Sequence, residues 1–355
     1  MIEKKRGLLK KTYDIINPYS WITVIRNRLF DCSLIKSHDF TLPTICIGNI
    51  SVGGTGKTPQ TEYLIQLLKD EFHTTVLSRG YGRNSQGYIL ADANTSMDKI
   101  GDEPFQIKKK FKDIDVAVCE NRVAGIKKII SELRNVEVIL LDDAFQHRHV
   151  KAGLNIVLID STRPIWQDCI LPFGRMRESA KGIKRADIVI ITKCNDITKE
   201  QKEFCINYIK GIKDIPVFFS RIKYGELYPL FNCSTRKITT DTEVLLLTGI
   251  ANPKPLEQEI VRRFGKTTVM KYADHHNFTI NDFRNIEQQY NNINSDNKII
   301  ITTEKDATRI IRHSDTPQVV KENTYVLPIE VDFLDDKSLF NKIVLDYVTK
   351  NSRNS

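Results

Sequence analysis

The stretch at residues 46–61, "CIGNISVGGTGKTPQT", constrains the fold more than any other part of the sequence. It joins an apolar run to an amphipathic run through four glycines and a Gly-Lys-Thr triplet. Backbone N–H groups that line a tight turn at the start of a helix bind phosphate, and glycines let the chain wrap that closely. The pattern therefore predicts a phosphate-binding loop between a strand and a helix.

Nucleotide binding is assigned to the eight residues of this loop. In loops of this class the lysine reaches the β and γ phosphates and the hydroxyl that follows binds Mg²⁺, which gives Lys57 and Thr58 their predicted roles. The usual pattern has a glycine six residues before the lysine, where this sequence has Ser51. The alternative is a glycine-rich turn that binds no ligand. The assigned residues are Ser51, Val52, Gly53, Gly54, Thr55, Gly56, Lys57 and Thr58.

The second feature of the sequence is a pair of acidic residues, Asp142 and Asp143, at the end of the run "VILLDD". Ligands of open α/β sheets bind at the carboxyl ends of the strands, so either carboxylate could hold Mg²⁺ there. The alternative is an ordinary turn at the end of a strand.

Strand-like runs recur along the first two hundred residues. They are nearly continuous in Val, Ile and Leu, which is typical of strands covered on both faces, and helical segments at 57–69 and 121–133 lie between them. The expected fold class is α/β, with a P-loop NTPase-type doubly wound, mostly parallel sheet. The runs begin at Thr44, Thr74, Asp115, Val136, Leu154 and Ala186.

The chain of 355 residues is longer than one usual domain, so a second domain is expected. Residues 31–214 form the predicted nucleotide-binding kinase domain. Residues 215–241 read as extended pieces without a helix, and we expect a β-ribbon linker there. Strands and helices then alternate again, which predicts a smaller α/β domain at 242–349 and a disordered tail at 350–355.

The overall composition limits the choice of partners. The net charge of +9 favours an anionic partner, which could be nucleic acid, a phosphorylated substrate or an acidic lipid surface. The seven cysteines form no Cys-x-x-Cys pair, so we expect neither a disulfide framework nor a zinc site. We expect the protein to function in a reducing cytosol. No apolar stretch reaches the ~18 residues of a membrane span, and no transmembrane helix is expected.

Residues 1–30 are basic and amphipathic. Ile22, Ile25 and Leu29 recur at helical spacing, and Lys and Arg clusters precede and accompany them. Such a segment can lie in a membrane interface, held by anionic lipid. The alternative is a helix whose stripe packs on the protein's own core.

Seven short motifs, taken in order, resemble the tetraacyldisaccharide 4'-kinase family, the lipid A 4'-kinases of Gram-negative bacteria. They run from Gly48 to Ala307, which is most of the chain. The motifs are "GNISVGGTGKTP", "SRGYG", "GDEP", "LLDDAFQHR", "LPFGRMRE", "ADHH" and "TEKDA".

The resemblance implies a peripheral enzyme at the cytoplasmic face of the bacterial inner membrane. It would transfer the γ-phosphoryl group of ATP, with Mg²⁺ as cofactor, to the 4'-hydroxyl of a tetraacylated glucosamine disaccharide 1-phosphate, a lipid A precursor. Its partners would be that lipid and an anionic membrane surface, with no obligate protein partner and no nucleic acid. The family's loop accepts Ser where the usual pattern has Gly, which accounts for Ser51.

The resemblance also implies roles in proton transfer. Asp102 in "GDEP" would be the general base, and His275 in "ADHH" would orient it, so that the pair assembles when the two domains close over substrate. From the residues alone, Asp102 could instead be a helix cap. His275 could be a structural histidine whose hydrogen bonds are satisfied, or a cap of the helix that begins near Ile280. His276 is an equally good acid–base residue without the family match.

Three further charged residues receive roles. Glu178 in "GRMRE" carries over from the family as a carboxylate near the metal, against the alternative of a solvated ion pair with Arg175 or Arg177. Arg79 and Arg122 suit the substrate 1-phosphate or the ATP phosphates, because guanidinium groups bind phosphate in a bidentate manner. The alternative for both arginines is a solvent-facing position. Gln146, His147 and Arg148 are expected in the same cleft, with no role assigned.

Two other functions share these features. A membrane-associated P-loop ATPase switch of the partitioning type would have the loop and the basic front end, and would need no Asp102 and His275 pair. A cytosolic kinase for a small molecule is the other alternative. Nucleic-acid binding is disfavoured, because the sequence contains no recognised RNA- or DNA-binding module.

Overall fold

The computed structural model describes residues 17–231, 237–313 and 315–352. They divide into two compact units. The second unit is Lys223–Glu330, and the described residues before and after it in sequence form the first unit. The basic residues of the predicted membrane segment that precede Asn17 lie outside the described residues.

Strands in these residues form two sheets. Their order is β14-β8-β7-β6-β1-β5-β2-β4-β3 in a nine-stranded sheet and β11-β10-β12-β13-β9 in a five-stranded sheet. The strands are β1 (Thr44–Asn49), β2 (Thr74–Ser78), β3 (Ile89–Leu90), β4 (Asp115–Val118), β5 (Val138–Asp142), β6 (Leu154–Asp160), β7 (Ile188–Thr192), β8 (Val217–Tyr224), β9 (Tyr228–Pro229), β10 (Glu243–Thr248), β11 (Thr267–Lys271), β12 (Lys298–Thr303), β13 (Thr324–Leu327) and β14 (Ile329–Phe333).

Helices connect most of these strands. They are α1 (Pro18–Asp31), α2 (Lys57–Leu68), α3 (Met97–Ile100), α4 (Asp102–Lys110), α5 (Arg122–Glu132), a 3-10 helix (Ala180–Arg185), α6 (Lys199–Lys210), α7 (Lys254–Phe264), α8 (Ile280–Asn292), α9 (Glu304–Ile310), α10 (Gln318–Asn323) and α11 (Lys337–Ser352). None of the helices in the described ranges combines the length and the apolarity that crossing a bilayer requires.

The nine-stranded sheet is the predicted doubly wound sheet. β1 lies between β5 and β6 and pairs in parallel with both, and β2, β4 and β7 continue the parallel pairing on either side. Every residue of β1, β2, β5 and β7 is buried, which explains their continuous apolar sequences. The predicted fold class is confirmed. The carboxyl ends of β1 and β5 lie side by side, with Ile47 opposite Asp142.

The five-stranded sheet has a hydrophobic cluster on each face. Leu245, Leu247 and Ile300 belong to one cluster, and Val244 and Leu246 belong to the other, as alternation along β10 requires. β10 pairs in parallel with β11 and β12, so the loops that follow these three strands emerge at one edge of this sheet.

The units differ from the expected domains at both ends of the second unit. β8, expected in the ribbon at 215–241, pairs in parallel with β7 in the nine-stranded sheet. The apolar run at 324–333 forms β13 and β14 in different sheets, because Pro328 between them has no N–H to continue a ladder. The first unit also includes α11, in which Tyr347 donates to the Thr44 carbonyl, so the expected boundary at 349 is too late. Residues 350–352, expected in the tail, belong to this helix.

Candidate active site

The loop between β1 and α2 has the backbone that its glycines predict. Gly53 and Gly56 have φ values of 105° and 86°, a left-handed conformation that L side chains rarely adopt. Gly56 is the N-cap of α2, and Lys57 is the first residue of that helix. A Cβ at Gly53 or Gly54 would have no atom within 4 Å, so this stretch of backbone is open to a ligand.

Polar side chains from β1 and from the end of β7 hold the loop in place. The Asn49 side chain donates to Thr55 Oγ1 at 2.7 Å, and Thr192 Oγ1 donates to the Thr55 carbonyl at 2.9 Å. Lys193 Nζ donates to the carbonyl of Gly54. The sequence alone assigns no role to residues 192 and 193. Their position at the end of a predicted strand is the signal that could have identified Thr192 and Lys193.

The segment that contains "GRMRE" runs beside the start of the loop. Val52 N–H donates to the Arg175 carbonyl at 2.7 Å, and Arg177 N–H donates to the Ile50 carbonyl at 2.8 Å. Ser51 and Met176 form an antiparallel bridge between these two bonds. Two motifs that are more than a hundred residues apart in sequence therefore form one wall of the site.

Lys57 shares Asp143 with an arginine. Its Nζ lies 3.7 Å from Asp143 Oδ1, and Arg177 Nη1 lies 3.1 Å from the same oxygen. Burial alone would raise the pKa of Asp143, but the charges of Lys57 and Arg177 outweigh burial and lower it. Asp143 therefore stays ionised and orients both cations.

Asp142 is more deeply buried than its neighbour. Its side chain accepts hydrogen bonds from Thr61 Oγ1 at 3.3 Å and from Ser78 Oγ at 3.2 Å, and the residue is 1% exposed. Burial raises the pKa of Asp142, the nearby Asp143 raises it further, and Lys57 and Arg122 only partly oppose this. A cation bound beside this carboxylate would offset the cost of its charge, which fits a metal-binding role.

The acidic residues do not form a ready-made metal cage. Within the described ranges, no group of three or more His, Cys, Asp or Glu side chains is arranged to hold a metal ion. Mg²⁺ in kinases and ATPases is held by one or two protein ligands together with phosphate oxygens and water. A site of that kind would need only one or two of the predicted ligands, which are Thr58, Asp142, Asp143 and Glu178.

Glu178 has a different partner from the ones that the sequence suggested. Its two oxygens lie 2.8 and 2.9 Å from Nη2 of Arg185, and Asn27 Nδ2 donates to it at 3.0 Å. The residue is 4% exposed. The alternative of a solvated ion pair with Arg175 or Arg177 is therefore wrong, and its role near the metal stays a prediction.

The two candidate phosphate-binding arginines have opposite environments. Arg122 is 2% exposed and donates to the carbonyls of Cys119 at 2.8 Å and Asp142 at 3.3 Å. The solvent-facing alternative is thus wrong for Arg122, which supports the backbone at the end of β5. Arg79 is exposed. Phosphate binding by either arginine stays a prediction.

Asp102 lies in the first turn of a helix. It is the first residue of α4, and Gly101, with a φ of 89°, is the N-cap, so the proposed capping role of Asp102 is wrong. A Cβ at Gly101 would lie 2.7 Å from the Tyr81 carbonyl. Because only glycine permits this approach, the "SRGYG" and "GDEP" motifs pack directly against each other.

The two histidines of "ADHH" have separate partners in the second unit. His276 Nε2 lies 3.0 Å from Asp282 Oδ2, and its ring stacks on Tyr272 at 4.8 Å. Asp282 forms the capping box of α8 with Thr279, so neither histidine is the N-cap of that helix. His275 instead faces Lys305 and Arg309, with Nε2 3.1 Å from Lys305 Nζ and Nδ1 3.0 Å from Arg309 Nη2.

In this site, a glycine-rich loop leads from the buried strand β1 into a helix that starts with lysine. A buried aspartate lies at the end of β5, the neighbouring strand in the sheet. These features together define a P-loop nucleotide-binding protein. Comparison with known families then gives the particular kind. The family model described as LpxK, tetraacyldisaccharide-1-P 4'-kinase, matches residues 15–349, and the chain belongs to this family.

Individual relatives are similar to this chain along almost its whole length. The tetraacyldisaccharide 4'-kinase of Phocaeicola vulgatus is 45% identical, over 98% of this chain and 99% of its own length. That of Bacteroides thetaiotaomicron is 42% identical, over 97% of this chain and 96% of its own length. A crystal structure of LpxK from Aquifex aeolicus in complex with ATP superposes with a TM-score of 0.71 at 25% identity, and covers 98% of this chain and 100% of that one.

The kinase activity predicted from the motifs is confirmed. The chain is an ATP- and Mg²⁺-dependent phosphotransferase of lipid A synthesis that acts on the 4'-hydroxyl of the tetraacyl disaccharide 1-phosphate. Neither the partitioning-type switch nor the cytosolic small-molecule kinase is favoured by these relatives.

Proposed function

We propose that the loop of residues 51–58 binds the triphosphate and that Lys57 neutralises the phosphoryl group in transfer. The observation that carries this proposal is the left-handed backbone at Gly53 and Gly56 directly before a helix that begins at Lys57. Helix N-termini and open N–H groups favour anions, and the Thr192 and Lys193 contacts fix the loop before ATP binds. The loop therefore requires little rearrangement during the reaction.

Thr58 and Asp142 are the residues that would hold Mg²⁺ in this proposal. When bound, the ion supplies charge neutralisation for the phosphate oxygens. Ser78 and Thr61 keep the Asp142 carboxylate oriented, and Arg122 holds the carbonyl of the same residue. The role proposed for Arg79 is to contact the 1-phosphate of the disaccharide.

For the proton, we propose Asp102 as the acceptor. As the new O–P bond forms and the bond to ADP breaks, the 4'-hydroxyl proton passes to the Asp102 carboxylate. Asp102 is the first residue of α4, and the first turn of a helix favours a negative charge. His275 is proposed to assist this transfer as a hydrogen-bond donor, a role that rests on the family resemblance.

An assay with γ-labelled ATP, Mg²⁺ and detergent-dispersed tetraacyl disaccharide 1-phosphate tests these two roles. Asp102→Asn and His275→Ala should each lower kcat by about 10²- to 10⁴-fold, the usual contribution of general acid–base groups. The Kd for ATP should change little, because neither residue belongs to the loop. Asp98→Asn is the control: it changes an exposed aspartate in the neighbouring helix α3 and should retain activity. Near-normal kcat in either test variant would remove that residue from the mechanism.

The membrane surface is the proposed location, with α1 as the contact. Ile22 and Ile25 of the stripe are 64% and 58% exposed, and the adjacent Trp21 is 54% exposed, so these side chains do not pack on the protein's own core. Leu29 is half-buried. Elsewhere in this segment, Asn17 Nδ2 donates to the Leu171 carbonyl and Arg26 Nη2 to the Gln146 carbonyl. An apolar face that is exposed while polar side chains fix the helix suits insertion into a lipid interface. The cytoplasmic face of the bacterial inner membrane is the specific location that we propose.

Flotation with vesicles that contain anionic lipid tests this contact. The double variant Ile22→Ser/Ile25→Ser and a chain that lacks residues 1–30 should both float with less lipid than the intact chain. Ile206→Ser, which changes a 39% exposed isoleucine on α6, is the matched control and should float normally. Equal flotation of all four proteins would refute the interfacial role.

A further inference from the structure

A buried ion pair lies at the edge of the five-stranded sheet where β12 ends. Arg309 Nη1 lies 3.2 Å from Asp306 Oδ1, and the residues are 1% and 0% exposed. Asp306 Oδ2 accepts a hydrogen bond from Gly249 N–H at 2.9 Å and from Thr303 Oγ1 at 2.8 Å. The carboxylate therefore joins α9 to the end of β10, and it fixes the guanidinium of Arg309. Such a fully buried pair tolerates little movement, because leaving either charge unpaired would be costly.

The other end of the same guanidinium contacts the proposed catalytic histidine. Arg309 Nη2 lies 3.0 Å from His275 Nδ1. A guanidinium carries only donors, so Nδ1 must be the acceptor in this contact. A neutral imidazole has one proton, which must then be on Nε2.

Lys305 competes for the ring from the other side. Its Nζ lies 3.1 Å from His275 Nε2 and 3.0 Å from Asp274 Oδ1. An ammonium also has no acceptor, and only one nitrogen of a neutral ring can accept a hydrogen bond. Arg309 is the stronger determinant, since it is buried and anchored by Asp306. The Lys305 side chain is 27% exposed and has Asp274 as an alternative partner.

The backbone around His275 also indicates that the surrounding residues fix the position of this histidine. His275 has a φ of 62°, an unfavourable left-handed conformation for a residue with a Cβ, and such conformations persist where the surroundings impose them. A Cβ at Gly249 would lie 3.0 Å from Asp306 Oδ1 and 3.1 Å from the Ala273 carbonyl. The glycine therefore lets the "ADHH" loop and Asp306 approach the end of β10 together.

We propose that Arg309 and Asp306 are positioning residues for the phosphoryl-transfer reaction, which hold His275 as the neutral tautomer with its proton on Nε2. His275 then donates a hydrogen bond through Nε2 and does not itself take the hydroxyl proton. Asp306 acts by fixing Arg309 and through its bond to Gly249. The inference rests on the proposed function of His275, and it gives the "TEKDA" motif a role through Asp306.

Steady-state kinetics of Arg309→Gln, Arg309→Lys and Asp306→Asn test the proposal in the full-length enzyme. Arg309→Gln should lower kcat by about 10- to 100-fold, since a misplaced catalytic group costs up to about 10²-fold. KM for both substrates should stay within about twofold, because these residues act on the proton and not on binding. Arg309→Lys should recover part of kcat, since it keeps a charged donor. Arg262→Gln removes a 71% exposed arginine side chain of α7 and is the control that should retain full activity.

A double variant distinguishes positioning from simple loss of structure. In the His275→Ala background, Arg309→Gln should have no further effect on kcat, because the residue acts through His275. A further loss as large as that in the wild-type background, or a normal kcat for folded Arg309→Gln, would overturn the proposal. A normal kcat for His275→Ala alone would instead show that the proposed role of His275 is wrong.

A spectroscopic measurement on the wild type does not depend on the Arg309 or Asp306 variants folding. In ¹⁵N-labelled wild-type protein, with the His275 ring signals assigned by their loss in His275→Ala, the ring should be neutral with the proton on Nε2. A proton on Nδ1 would overturn the assignment, whatever the kinetics of the Arg309 variants.

Discussion

Two loops at the carboxyl ends of central strands, the loop after β1 and the loop after β10, use glycine for different physical reasons. Gly56 is required for its left-handed φ of 86°, and the atoms nearest to its Cβ position, both of Thr192, lie about 4 Å away. Gly249 relieves crowding, because a Cβ there would lie 3.0 Å from Asp306 Oδ1 and 3.1 Å from the Ala273 carbonyl, closer than an ordinary van der Waals contact. The first loop is built by backbone conformation and the second by side-chain packing.

The buried aspartates beside the two loops differ in the same way. Asp306 is paired with the charge of Arg309 at 3.2 Å. Asp142 accepts from two hydroxyl groups, and its burial raises its pKa. The acid near the first loop therefore gains from an added cation, whereas the acid near the second already has one and serves to position a neighbour.

The largest expected difference between the two acids concerns the dependence on Mg²⁺. Asp142→Asn should lower kcat/KM by about 10²-fold and raise the Mg²⁺ concentration needed for half-maximal activity by about 10- to 100-fold, since it removes a metal ligand. Asp306→Asn should leave that Mg²⁺ concentration unchanged. Activity measured over a Mg²⁺ titration gives both values.

The control for this pair is Asp187→Asn. Asp187 accepts from Asn155 N–H just before β7, at the opposite edge of the same sheet from the glycine-rich loop, and its substitution should leave the Mg²⁺ dependence normal. An unchanged Mg²⁺ requirement in Asp142→Asn would end the comparison, because Asp142 would then be a structural acid like Asp306.

Substitution of the two glycines should separate backbone strain from crowding. Gly56→Ala should lower the free energy of unfolding by about 1–2 kcal/mol, and Gly56→Asn by less, because Asn tolerates a left-handed backbone. At Gly249 both substitutions should cost about 1–3 kcal/mol, with Asn at least as costly as Ala, because there the added atoms clash. Urea unfolding of the four variants measures this. If Asn is better than Ala at both positions, crowding is not the reason for Gly249.

Much of the first loop could be predicted from the sequence, because its determinants are local. Glycines, a lysine and a strand-end aspartate carry their backbone and charge requirements with them. Thr192 holds Thr55 across 137 residues of sequence, and this contact could not be read from either segment alone. The same limit applies to the second loop, where Gly249, His275 and Arg309 meet only because β10, β11 and β12 are neighbours.

The domain boundary was missed for a related reason. The run at 324–333 is apolar enough to read as one strand, yet Pro328 divides it between two sheets. Hydrophobic pattern indicates that a segment is buried and does not indicate in which sheet. The return of α11 to the first unit depends on long-range contacts such as that between Tyr347 and Thr44.

The smallest expected effect concerns the burial of His147, which follows β5. Burial lowers the pKa of His147 to about 4, with Arg122 as the next largest cause. Because the folded state resists protonation and the unfolded ring has a value near 6.5, stability is full above pH 6.5 and falls as the pH drops toward 4. Between pH 7 and pH 5 the wild type should lose about 1 kcal/mol more than His147→Gln, a value reduced for the partial exposure of the ring. Equal losses in urea unfolding would show that the pKa of His147 is not lowered in the folded protein.

The central claim is that ATP binds in the glycine-rich loop with its terminal phosphate at Lys57. The most direct measurement compares Lys57→Ala with Lys69→Ala, a lysine just beyond the other end of α2 that pairs with Asp113. Lys57→Ala should lower kcat by about 10³-fold and weaken ATP binding, because it removes one preorganised positive charge at the transferred phosphoryl group. The thermal stability of this variant should not fall. Lys69→Ala should behave as the wild type. Full ATP affinity and full turnover in Lys57→Ala would contradict the account.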